Sequence, residues 1–246
     1  MKKIVLLIVV TLFYVSNLTA QKNNPYDYVG QEHNKGLDYI YQKLVELKKY
    51  NKNLKFKKKN NIDLIKKYTI EFIEKERKNR TNNKFKLPET EYVKKFLDTI
   101  YPFLSTGPYF PTDVKKNINL GYKFEEYVNT ILTNNSNTRE LISLVNTIKN
   151  DKNLNSIEKN ILLSSVSVEY NSFNYWRING GKWQGLIGGG SQYVVQWVKA
   201  DLNGAFWGVI TGVKEGLVLG PEGAAAAGLA GAMIGGIFSS AIDLLP

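Results

Sequence analysis

Through most of the chain the apolar positions fall three and four residues apart, which is the spacing of helix faces rather than of strands. Leu37, Ile40, Leu44 and Leu47 form one such series, with His33 one step earlier on the same line. Ile62, Ile65, Ile70 and Ile73 form a second, ending in the charged stretch 74–78. A third helix is expected from Pro88, a residue suited to a first turn, through Phe96, Leu97 and Ile100, with Pro102 ending it. Gly107, Pro108 and Pro111 mark 106–112 as a loop. Further helices are expected near 122–132, 139–149 and 156–170, the last with Ser156 as its N-cap. Strand-like alternation is scarce. The chain reads as mainly α, a basic multi-helix body followed by a C-terminal helical hairpin.

The hairpin rests on glycine spacing. Gly204, Gly208, Gly212, Gly216 and Gly220 recur at every fourth residue, and the small-residue register continues through Ala224, Gly228, Ala232, Gly236 and Ser240. Turn chemistry at Gly220, Pro221 and Gly223 divides this tract into helices over about 192–219 and 224–244. A glycine inside a helix costs about 1 kcal/mol against alanine, so the series is tolerable only where its bare face lets another helix approach closely. That is the packing logic of membrane helix pairs. Gly204, Gly208, Gly212, Gly216, Gly220, Gly228 and Gly236 are therefore the expected helix-packing positions. Residues 224–242 carry no charge and are long enough to span a bilayer. The first arm carries Lys199, Asp201, Lys214 and Glu215, each costly near a bilayer centre. Insertion and burial within a soluble fold both remain open.

At the other end, Lys2 and Lys3 precede an apolar run over 4–15, followed by Ser16, Asn17, Thr19 and Ala20. That order describes a secretory signal peptide over 1–20, its cut site left uncertain by Leu18. The protein is expected to be exported, either secreted or held in the cell envelope.

Composition narrows the chemistry. With no Cys and one His, disulfides, thiolate metal sites and cysteine nucleophiles are excluded. His33 as a general base oriented by Asp27 or Glu32 is the less favoured reading beside a hydrogen-bonded histidine at a helix edge. The carboxylate pairs Glu74 with Glu76, and Glu125 with Glu126, lie among lysines as solvated helix faces do. No catalytic, cofactor or metal site is expected. The net charge is +11, and apart from Lys2 and Lys3 its basic excess resides in the body, because the part from Gly180 onward is nearly neutral. The break suggests a basic helical domain over 21–179, a glycine-rich linker over 180–191 and the hairpin over 192–246. Lys55, Lys57, Lys58 and Lys59 close the densest basic run and could meet an anionic surface. Export argues against nucleic acid as the partner. Membrane lipid, self-association or a partner helix is expected instead.

The glycine series from Gly204 to Gly220, with Gly228, Gly231, Gly235 and Gly236, resembles the glycine-zipper segments of pore-forming proteins and two-peptide class II bacteriocins. That resemblance implies helix association at or in a membrane. Segments 27–34 and 158–167, with Tyr175 and Trp176, resemble parts of secreted bacterial proteins of unassigned function, which implies export and no activity. The alternative is a soluble secreted binding module with the hairpin packed into its fold.

Overall fold

A computed structural model describes residues 24–79, 87–104, 120–133, 138–187 and 194–245. The signal segment 1–20, the loop 106–112 and residues 188–191 of the linker lie outside them. The helices are α1 (Asp27–Tyr50), α2 (Lys58–Asn79), α3 (Thr90–Ile100), α4 (Tyr122–Thr133), α5 (Thr138–Asn150), α6 (Ser156–Ile187), α7 (Val194–Gly216) and α8 (Gly220–Asp243). Short 3-10 turns cover Tyr101–Phe103 and Leu217–Leu219. The described residues contain no strand, so the protein is mainly α.

Helical periodicity chose the buried faces. In α1 the line of Val29, His33, Leu37, Ile40 and Leu44 is buried, and in α3 the line of Val93, Phe96, Leu97 and Ile100. Pro102 falls inside the 3-10 turn that follows α3, two residues past the helix end. The N-terminus of α6 differs from expectation. Asn155, not Ser156, is its N-cap: the Glu158 amide donates to Asn155 Oδ1 at 2.9 Å, and the Asn155 amide donates to Glu158 Oε2 at 2.8 Å. This is a reciprocal capping box with asparagine in the serine role. Glu158 Oε1 also accepts the Gly121 amide at 2.6 Å, which ties the start of α4 to the start of α6.

The glycine-rich linker expected from Gly180 begins inside a helix. α6 continues through Gly180 and Gly181 to Ile187, because Trp183, Leu186 and Ile187 extend its buried face. Gly180 is required there for a different reason: a Cβ would collide with the Trp197 ring of α7.

Every residue over 228–242 is buried. A helix that is apolar on all sides has to be enclosed, and the fold encloses α8 with α7, α1, α2, α3 and α6. α6 lies along both α7 and α1, and α5 and α4 pack on the outside of α6. The hairpin therefore occupies the centre of the described structure.

Candidate functional site

The two arms of the hairpin close on each other through backbone. A Cβ on Gly204, Gly208, Gly212 or Gly216 would fall closer than 3.0 Å to the carbonyl oxygen of Gly235, Gly231, Ala227 or Gly223 respectively. The same holds in reverse, with Gly231 and Gly235 set against the carbonyls of Gly208 and Gly204. Each step of four along α7 meets a step of four back along α8, so the contact holds over three turns. Such spacing admits only a hydrogen on the facing Cα and favours Cα–H to carbonyl contacts.

The α8 face differs by one residue from the expected register. Gly223, Ala227, Gly231 and Gly235 meet the backbone of α7, whereas Gly228 packs on α7 through the side chains of Val213 and Val209, as a helix-packing position should. Gly236 faces His33, whose Cδ2 would lie 2.8 Å from an added Cβ. A Cβ on Gly220 would meet nothing within 4 Å. Its φ of +82° is the reason for glycine there, since that region is closed to other L residues, and it turns the chain from the 3-10 turn into α8. The displacement of the stripe follows: α8 begins at the turn glycine, so its first level opposite Gly216 is Gly223.

At the base of the hairpin lies a buried polar cluster. His33 Nε2 of α1 is 3.0 Å from Asp201 Oδ1 of α7, and both side chains are fully buried. Asp201 Oδ2 accepts from the Trp176 indole N–H at 2.5 Å and from the Ser172 hydroxyl, both on α6. Asn34 Nδ2 donates to the Asn171 carbonyl at 3.0 Å, which turns Asn34 Oδ1 toward His33 Nδ1, also at 3.0 Å. That orientation of Asn34 presents an acceptor to His33 Nδ1. A buried aspartate inside an apolar helix is tolerable when its lone pairs are filled in this way. The cluster pins α7 to α1 and α6.

Histidine, serine and aspartate meet here, but Asp201 stands between the other two, and none of the three is exposed. A nucleophilic triad needs the imidazole on the hydroxyl and access for substrate; this arrangement has neither. Asp27 and Glu32 are not the carboxylates that meet His33. Among the described residues no group of three or more His, Asp or Glu could hold a metal ion. One narrow opening, lined by Asn24, Asp27, Leu141, Val145, Val166 and Tyr170 among others, has room for about one water.

No family model, curated protein or solved structure matches this chain.

The basic run is divided by the fold. Lys48 donates to the Leu186 carbonyl at the end of α6, and Phe56 is buried, which leaves Lys55 and Lys57 exposed on either side of an apolar anchor. Lys58 and Lys59 open α2, with side chains outside the described parts. A second buried carboxyl, Glu169 of α6, has Oε2 without a hydrogen-bond partner, and burial pushes its pKa well above the ordinary range. Sequence reasoning missed Asp201, Ser172 and Glu169. A signal for Asp201 was present: an acid amid the apolar positions of α7 and a lone histidine on a core-facing line each need a buried partner.

Proposed function

We propose that this is an exported helical protein that associates with membranes through its C-terminal hairpin, the body serving to hold and present that hairpin. The observation that carries the proposal is the backbone-close glycine contact between α7 and α8, beside an arm uncharged over 223–242. Close small-residue packing draws its strength from van der Waals contact and needs no water to drive it, so a hairpin paired in this way keeps its shape beside lipid as well as inside protein. Val194–Asp243 is by length and composition apolar enough for a bilayer, though most of it is buried in the fold. Flotation of residues 21–246 with phosphatidylcholine vesicles tests the reading: the protein is expected in the lipid fraction, and its absence there overturns the proposal.

A second reading is favoured by the cluster around Asp201. Three side chains of α1 and α6 bond Asp201, as suits a soluble binding module whose hairpin never leaves the core. It predicts no flotation on any vesicle.

A further inference from the structure

Most large apolar side chains that reach solvent do so singly, as Tyr50, Tyr122 and Ile178 do. The tip of the hairpin is different. Leu217, Val218 and Leu219 are consecutive and 37%, 86% and 77% exposed. They form the 3-10 turn between α7 and α8, whose main contacts are with its own two arms. Gly220 reverses the chain immediately beyond. The outcome is an apolar knuckle at the end of an apolar hairpin, while the other end of the hairpin is pinned by Asp201.

Resting on the membrane reading above, we infer that Leu217, Val218 and Leu219 are the lipid-contact site, seated shallowly in the interfacial zone of a bilayer while the hairpin stays in the fold. Three side chains on a tight turn cannot supply the roughly 800 Å² per partner of a stable protein interface. Seating between lipid headgroups asks only that a few apolar groups leave water. Lys214, on the α7 side, and Glu222, on the α8 side, are exposed near the knuckle. Taking them through the hydrocarbon would be costly, so they set the depth, at the headgroup level. The tip also has no cationic excess, with Lys214 set against Glu215 and Glu222. Its binding therefore needs no anionic lipid and persists in salt, unlike contact through the lysines of the body.

The test uses residues 21–246 and vesicles of phosphatidylcholine, alone or mixed equally with phosphatidylglycerol. In parallel, the double substitution Val218→Asp with Leu219→Asp is floated after circular dichroism and thermal melting have shown an unchanged fold. The chain has no Cys, so Val218→Cys and Ile178→Cys each accept one environment-sensitive dye. Expected are flotation on both vesicle types in high salt, about a tenfold or greater loss of partitioning in the double variant, and a blue shift at 218 but not at 178. Equal flotation of both proteins overturns the tip and leaves the membrane reading standing. Flotation on anionic vesicles alone, released by salt, overturns the tip and the hairpin reading together and moves the contact to the basic body. If the unaltered protein floats on neither, both readings fall. A concentration-dependent shift at 218 without vesicles would make the knuckle a self-association site and overturn its assignment to lipid.

Discussion

At the scale of single residues, glycines that look alike in the sequence have opposite tolerances. An added methyl at Gly208 would collide with the Gly231 carbonyl, which is backbone and cannot rotate away. Gly208→Ala should therefore destabilise the fold by about 1–3 kcal/mol, the range for overpacking a closed core. Gly185 on α6 has nothing within 4 Å, and Gly185→Ala should stabilise by about 0.5–1 kcal/mol through helix propensity. Urea unfolding of the two variants checks both signs. Glu169 gives a pH signature. Its folded pKa is raised by burial, so as pH rises past the ordinary glutamate value of about 4.3 the unfolded chain releases a proton that the folded chain retains. Stability consequently falls with rising pH until the folded carboxyl ionises as well. Glu169→Gln should remove that decline and exceed the wild type in melting temperature at pH 7, with the two converging near pH 4; parallel curves would mean that Glu169 is not the source.

Among the elements, the capping box at the start of α6 is a local device that also joins two helices. Asn155→Ala removes the acceptor for the Glu158 amide while the backbone N–H of residue 155 still donates to the Glu158 carboxylate, for a loss of about 1 kcal/mol. Hydrogen exchange should show it as fraying at the start of α6, with the Gly121 contact to Glu158 retained. Most helices were legible from the sequence because a periodic apolar face states both the element and its buried side, as in α1 and α3. Two features were not. The glycine series in α7 announced close packing, but its partner positions on α8 depended on where Gly220 placed the turn, a backbone dihedral that spacing does not encode. The pairing of His33 with Asp201 spans 168 residues, and only the assembled core brings them together.

For the whole molecule, the composition break at Gly180 suggested two domains, yet the nearly neutral tail fills the middle of the basic body. The physical reason is that α8 has no polar face to offer water, so it occupies the one place the amphipathic helices leave dry. Ending the chain after Ile187 should therefore unfold the remainder instead of releasing a folded body, seen as loss of cooperative melting and rapid proteolysis. A folded fragment would restore the two-domain view. One consequence concerns the seam between tail and body. Trp176 and Trp183 of α6 and Trp197 of α7 form a cluster, with ring centroids 5.8 Å apart for 176 and 183 and 5.0 Å apart for 176 and 197. Indoles held this close and at fixed angles couple optically. The part of the near-ultraviolet dichroism that comes from the pair of Trp176 and Trp197 is accordingly a built-in report on that seam, lost when α7 parts from α6 and retained through a change confined to the exposed knuckle.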